Sequence, residues 1–321
     1  MRFKRAVLTE PGKMALTTVE EAPGRGQVLL KIASCGLCSW ELGFFLGELN
    51  IYGYPHKLGH EFAGTVVQVG EGCTCFNVGD PVSGLDRGFG GFAEYRVIDE
   101  TKLEKLGSQV DPKYALGEPQ KCIVTVLRAA APEAGDHGIV LGCGPMGLWC
   151  VQALAGNTLG SLTAVDVDPA KLDYAESFGA TDTVNPATED VIEKIREITG
   201  GRMADFVIEG TGSPALLDMA QEMLSTERRS RLILMSSHHV PAPEFDFRKA
   251  IARGLTIVAA HPPYSRDGYD DFRRAVTLIN RGVFRSRELI SHEFPLSSIQ
   301  EAFETLREKP HDYIKGIVVP D

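Results

Sequence analysis

No apolar run in this chain approaches the ~20 residues that a membrane-crossing helix needs, and positive charge is in deficit. Against 43 Asp and Glu stand 33 Lys and Arg, a formal net charge of −10 over 321 residues. Counterion release at nucleic acid or at an anionic bilayer requires clustered cations, so neither partner is expected. The one compact basic run, Arg228-Arg229-Ser230-Arg231, reads as a solvated loop. Seven cysteines, an odd number, do not make a disulfide framework. Met1-Arg2-Phe3-Lys4-Arg5 leads straight into strand-like sequence rather than a secretory leader. A reducing cytoplasm is therefore the expected setting. Internal repeats, low-complexity tracts and flexible linkers are missing too.

What the chain does have is ordinary globular material, 43% hydrophobic and long enough for two cored domains. The first part is β-rich: Arg5 to Leu8, Gln27 to Ala33, Thr65 to Val69 and Phe92 to Ile98 are short apolar runs bounded by Gly, Pro and Asp. The middle alternates. Strands are expected at His137 to Gly142, Leu162 to Asp166, Thr183-Val184, Asp205 to Glu209, Leu232 to Ser236 and Thr256 to Ala260. Helices are expected at Pro145 to Leu154 and Pro169 to Phe178, the latter starting after Asp168 with proline in its first turn. Such alternation implies α/β architecture, a parallel sheet covered on both faces. The tail from about Arg285 returns to irregular and β character, with a helix at Ile299 to Lys309 and a strand near Ile317.

Two stretches carry chemistry. Gly59-His60-Glu61-Phe62-Ala63-Gly64 puts two potential metal ligands where a loop enters a glycine-punctuated strand, with Cys38 upstream and Glu118 downstream. Thiolate, imidazole and carboxylate are the ligand types of an open, catalytic zinc site; a core histidine with a capping glutamate is the plainer alternative. Gly142-Cys143-Gly144-Pro145-Met146-Gly147 fits the G-x-G-x-x-G pattern between a strand and a helix, and Asp166 ends the next strand at about the twenty-residue distance of a Rossmann dinucleotide fingerprint. The helix N-terminus would receive the phosphates. Asp166 would accept the ribose hydroxyls and repel a 2′-phosphate, which favours NAD over NADP.

In this order the pieces resemble the zinc-dependent medium-chain dehydrogenase/reductase superfamily, which includes alcohol, sorbitol and threonine dehydrogenases. The likeness runs nearly end to end. It is carried by Gly36-Leu37-Cys38, the Gly59 to Gly70 signature, Gly79-Asp80-Pro81-Val82, Phe92-Ala93-Glu94-Tyr95, Glu118-Pro119, the Gly142 to Gly147 loop, Asp166 with Lys171, and Gly179-Ala180. The resemblance implies a β-rich GroES-like catalytic domain (1–121, completed by 263–321) and a Rossmann doubly wound NAD-binding domain (122–262), with the active site in the cleft between them. It also implies one catalytic zinc per subunit, held by Cys38 and His60 with Glu61 and Glu118 as the carboxylates. Glu118-Pro119 leans toward a polyhydroxylated substrate: a polyol, sugar or cyclitol. Met235-Ser236-Ser237 would contact the carboxamide of the cofactor. His238, His239 and His261-Pro262-Pro263-Tyr264 fall where relatives approach substrate, cofactor or dimer interface. A homodimer through the Thr256 to Ala260 edge strand is expected, a tetramer being possible.

Two departures from the family stand out. The four-cysteine structural zinc lobe is absent: Val82 runs through Ser-Gly-Leu-Asp-Arg-Gly-Phe-Gly-Gly directly to Phe92. Cys35, Cys73, Cys75, Cys122, Cys143 and Cys150 therefore read as small apolar fillers. The second departure is Trp40, two residues past Cys38, where relatives carry the Ser or Thr that passes the alcohol proton outward; Gly43 replaces the histidine that completes that relay. Ser39, Glu41 or a metal-bound water would then have to move the proton. Trp40 itself implies a rerouted proton path, a stacking platform for a sugar ring, altered chemistry or plain packing. Trp40, Phe44 and Phe45 are expected to form one wall of the pocket. The readings that follow are an NAD-linked polyol dehydrogenase, a redox-neutral epimerase or lyase with tightly held NAD, and a binding protein that kept the fold without activity.

Overall fold

A computed structural model of the chain describes residues 1–237 and 245–321. It divides into two compact units, Met1–Pro119 with Phe272–Asp321, and Gln120–Asp271. The second crossing thus falls nine residues beyond the expected 262/263 boundary. His238 and His239 lie outside the described residues.

The first unit is built on a seven-stranded, mostly antiparallel sheet. Its order is Ile290–Pro295, Lys315–Val319, Gln27–Gly36, Glu61–Val69, Pro81–Gly84 and Leu103–Lys105, with Tyr95–Asp99 also paired to Gln27–Gly36. The tail belongs here because Lys315–Val319 pairs with the end of Gln27–Gly36, Ile317 opposite Gly36. Arg2–Glu10 forms a hairpin with Lys13–Glu20, a strand the sequence reading did not mark. Leu30, Ile32, Phe44, Phe62, Val66, Phe92 and Phe303 are among the side chains of this unit's core. The strand Gln27–Gly36 is longer than expected, and Glu61–Val69 pairs along it from Gly36↔Glu61 to Val28↔Val69. That register is what brings Cys35, Gly36 and Leu37 alongside Glu61 and Phe62.

The second unit is a six-stranded, all-parallel sheet in the order Asp182–Val184, Ser161–Val165, His137–Leu141, Phe206–Glu209, Arg231–Leu234, Thr256–Ala259. Every residue of His137–Leu141 and of Ser161–Val165 is buried, as expected of strands covered on both faces. Helices Pro145–Leu154 and Pro169–Ser177 stand where the sequence places them, each with proline in its first turn. The chain order around the sheet is that of a doubly wound α/β fold.

Of the helices that went unread in the sequence, two bear on the site. Ser39–Leu46 begins directly after Cys38, whose extended backbone (φ −112°, ψ 134°) forms the cap, and ends at Gly47 in the left-handed region (φ 80°). Gly117–Ala130 takes up Glu118 and Pro119 in its first turn, where the sequence reading assigned no element. Arg228-Arg229-Ser230-Arg231 is only partly the solvated loop expected. Ser230 is buried, and Arg231 opens a strand with its guanidinium donating to the carbonyls of Ala130 and Ala131.

Candidate functional site

The strand pairing and the helix after Cys38 bring together what the sequence separates. Ligand atoms of Cys38, His60 and Glu61 lie within 4.8 Å of one another, partly or fully buried. Glu118 approaches from its helix, Oε2 standing 3.7 Å from His60 Nε2. The other imidazole nitrogen, Nδ1, lies 3.1 Å from Oε1 of Glu41, a fully buried carboxylate that also accepts from the Gly59 backbone N–H at 2.6 Å. Burial alone would make the imidazole harder to protonate, but Glu41 and Cys38 hold its pKa well above the ordinary value. His60 thus has Nδ1 beside the Glu41 carboxylate and Nε2 on the Glu118 side. That is how metal-ligating histidines are usually oriented.

Glu41 was expected as one route for the proton. Having no exposed surface, it lies against His60 and does not open to solvent. Ser39 is exposed at the start of its helix and accepts a hydrogen bond from Lys309 Nζ at 3.2 Å.

The two carboxylates of the cluster are not equivalent. Glu61 crosses over Gly36, where an added Cβ would stand 2.0 Å from Glu61 Oε2. There it meets Lys315, whose Nζ is 2.6 Å from Oε2 and also donates to the Leu37 carbonyl at 2.9 Å. Both side chains are almost wholly buried. Burial opposes the Lys315 charge, yet Glu61 and Cys38 together hold its pKa above the ordinary value. Nearby, burial pushes the Tyr313 phenol up to about 12. Glu61 thus has a resident counter-cation, whereas Glu118 faces His60 from the other side. A soft thiolate, an oriented imidazole and two carboxylates fit a zinc ion held at Cys38 and His60 with one carboxylate and a free position. Lys315 could have been suspected, being a charge inside the apolar strand Lys315–Val319.

Aromatic residues border the ligands. Trp40 stacks on Phe89 (centroids 5.8 Å, planes 15° apart) and meets His60 and Phe44 nearly at right angles, at 5.6 and 5.0 Å. Phe45 does not join them. It is packed in the core against Phe303 at 5.2 Å, which corrects its assignment to the pocket wall. None of the seven cysteines forms a disulfide. Cys35, Cys143 and Cys150 are buried fillers as expected, but Cys75 is exposed and fills nothing.

The second unit holds the glycine loop. Gly147 is required by contact, since a Cβ there would lie 2.0 Å from the Gly142 carbonyl. At Gly144 a Cβ would meet nothing within 4 Å, so the space above the loop is open. Gly144 caps helix Pro145–Leu154 without a side-chain bond, leaving the terminal N–H groups of the helix to a ligand. Pro145 and Met146 lie half-buried at this end. Asp166 is half-buried beside the loop; its carboxylate accepts from the Cys143 N–H at 2.7 Å and the Asp168 N–H at 2.9 Å. Lys171 sits 3.5 Å from Asp168. Ser236 presents its carbonyl to His261 Nε2 at 3.1 Å. Sequence reasoning missed Glu209, which is buried and accepts from the N–H groups of Thr211 (2.7 Å) and Gly212 (3.1 Å), and so fixes the turn after its strand. An open glycine, an uncapped helix end and an acid on the next strand fit a dinucleotide.

Comparison with known proteins agrees in both units. Residues 24–108 match a family model described as an alcohol dehydrogenase GroES-like domain, and 145–281 match one described as a zinc-binding dehydrogenase. The chain is 30% identical to (R,R)-butanediol dehydrogenase of Bacillus subtilis (strain 168), over 92% of this chain and 93% of the relative. It is 26% identical to sorbitol dehydrogenase of Halalkalibacterium halodurans, over 94% of each. Among solved structures, that of 2R,3R-butanediol dehydrogenase from Bacillus subtilis superposes with a TM-score of 0.86 at 27% identity, covering 99% of this chain and 100% of the other.

Proposed function

The chain belongs to the zinc-dependent medium-chain dehydrogenases, and on that premise we propose that it oxidises a secondary alcohol of a small polyhydroxylated substrate using zinc and NAD. The observation that carries this reading is the meeting of Cys38, His60 and Glu61 within 4.8 Å, beside Glu118. Zinc, when bound, would supply Lewis acidity to the alcohol oxygen and NAD would supply the hydride acceptor. The carbinol carbon gives up a hydride and its hydroxyl a proton, leaving a ketone and NADH.

The rest falls to the chain. Cys38 and His60 would be the fixed ligands, with Glu41 holding the imidazole in orientation. Lys315 pairs with Glu61 inside the ligand cluster, so Glu118 would be the carboxylate that meets the substrate, as third ligand or as acceptor of the alcohol proton. Ser39 remains for passing that proton on, since Trp40 carries no hydroxyl and Glu41 is enclosed. Gly142, Gly144 and Gly147 with the start of helix Pro145–Leu154 would seat the pyrophosphate. Asp166 would take the adenosine ribose, exchanging its backbone partners for hydroxyls and disfavouring a 2′-phosphate.

The test is direct. Purified protein should carry one zinc per chain by elemental analysis and form NADH, followed by absorbance, with at least one polyol, sugar or cyclitol. Chelation should abolish the rate and zinc should restore it. Protein that holds equimolar zinc and NAD yet reduces no cofactor across such a panel would sink the reading.

A further inference from the structure

Two departures that are unconnected in the sequence meet in space. Trp40 stands two residues past Cys38, and Phe89 lies in the short Ser83 to Gly91 segment that runs directly to Phe92. The two rings stack nearly parallel. Phe89 holds a left-handed backbone conformation (φ 52°) between Gly88 and Gly90. A bulky residue takes that conformation only where its surroundings fix it.

His60 lies 5.6 Å from Trp40 and 6.0 Å from Phe89, perpendicular to both, so it stands at one flank of the stack. Phe44, 5.0 Å and 5.9 Å from the same rings and also steeply inclined, holds another. With Phe89 beneath and these two at the flanks, Trp40 is still 45% exposed, whereas Phe44 is fully buried and Phe89 nearly so. A tryptophan that only packs looks like Trp149, which has no exposed surface. Trp40 instead keeps nearly half of its surface open to solvent, with Phe89 stacked on one face and the imidazole of the ligand cluster at its flank.

We propose that Trp40 is the stacking floor of the substrate subsite, and that the substrate lays a saturated, hydroxylated ring on it. The oxidised carbinol then belongs to a pyranose or a cyclitol rather than to an open-chain polyol or diol. This deepens the dehydrogenase reading and rests on it. The argument is one of shape and entropy. A chair-form ring offers one face of C–H groups to the indole plane while its equatorial hydroxyls point sideways to polar partners such as Glu118. An open polyol turns hydroxyls toward any plane it lies on, and must freeze several rotors to do so. Aromatic side chains supply such contact area at fixed geometry.

Tryptophan emission tests binding apart from catalysis. The chain has two tryptophans, and Trp149 is sealed in the core, so the difference between the native protein and Trp40→Leu reports on Trp40. Zinc-loaded protein would be titrated with myo-inositol and methyl α-D-glucopyranoside, and in parallel with D-glucitol and 2,3-butanediol. The ring probes should shift the Trp40 emission at concentrations about tenfold or more below those needed for the open-chain probes. Equal or tighter binding of the open-chain probes, or no response to either class, overturns the proposal. For alcohols that reduce NAD, Trp40→Ala should lower kcat/KM for ring substrates by about tenfold and for open-chain ones by less than about threefold, with Trp40→Phe restoring part of the loss. An equal loss for both classes also overturns it. If no alcohol reduces NAD while the ring-selective emission shift persists, the dehydrogenase reading has failed and the ring subsite stands.

Discussion

At the scale of single residues, the site divides into groups that touch a ligand and groups that aim those groups. We propose that His60 presents Nε2 because Glu41, three residues after Cys38, lies 3.1 Å from the other nitrogen in a position without solvent. Orienting carboxylates of this kind are worth roughly 10–100-fold in metal affinity. Glu41→Gln should therefore weaken zinc retention by that factor in a competition with a chromophoric chelator, while the far-ultraviolet circular dichroism stays native. Unchanged zinc affinity would show that the contact orients nothing. Lys315 is placed similarly toward Glu61, forming a buried ion pair with it at 2.6 Å. None of these partnerships is written locally. Glu41 is one acid among 43, and Lys315 lies 254 positions from Glu61. His60-Glu61 was legible because the two residues are adjacent within a long glycine-punctuated pattern. The partners that set their roles were not.

At the scale of elements, the glycine loop is the feature read most fully in advance. Strand, loop, proline-started helix and the following acid are all consecutive, and each obeys a local rule: turn, close approach, first-turn proline, N–H groups at a helix end. Gly144 supplies the check. Because a Cβ there meets no protein atom, Gly144→Val should leave the melting temperature within about 2 °C of native. Occupying the space the pyrophosphate needs, it should weaken NAD binding by about tenfold or more in calorimetric titration. Native affinity in that variant would mean that the cofactor does not lie over the loop. The helices Ser39–Leu46 and Gly117–Ala130 show the opposite case. Ser39–Leu46 is apolar on nearly every side and only eight residues long, so no periodic stripe marked it. Gly117–Ala130 opens with a glycine and carries a proline in its first turn, where proline is at home.

At the scale of the whole molecule, the chain returns to its first unit at the end: Lys315–Val319 pairs with Gln27–Gly36 and so delivers Lys315 to the ligand cluster. Among the described residues the second unit ends its sheet in Thr256–Ala259, an edge strand that exposes Ile257, near in sequence to the short helix Phe247–Ala252 with Phe247 and Ile251 68% and 79% exposed. An unpaired edge with apolar side chains invites another strand. We propose that a second copy of the chain pairs there. Light scattering after gel filtration should give a dimer for the native protein and a monomer for Ile257→Lys, which sets like charges across a symmetric interface. A monomeric native protein, or a variant that stays dimeric, would place the interface elsewhere or remove it.

The sequence by itself determined the parts whose physics is local: the parallel α/β unit, the dinucleotide loop, the pairing of histidine with glutamate, and the absence of a four-cysteine lobe. Only the tertiary structure showed that Glu61 has a buried counter-cation, because that depends on a lysine brought in by the last strand. It alone also brought Trp40 against Phe89, which lies in the short segment between Val82 and Phe92. Stacking Trp40 on Phe89 requires the register of one sheet and the course of a shortened loop to coincide, and no spacing along the chain encodes that coincidence.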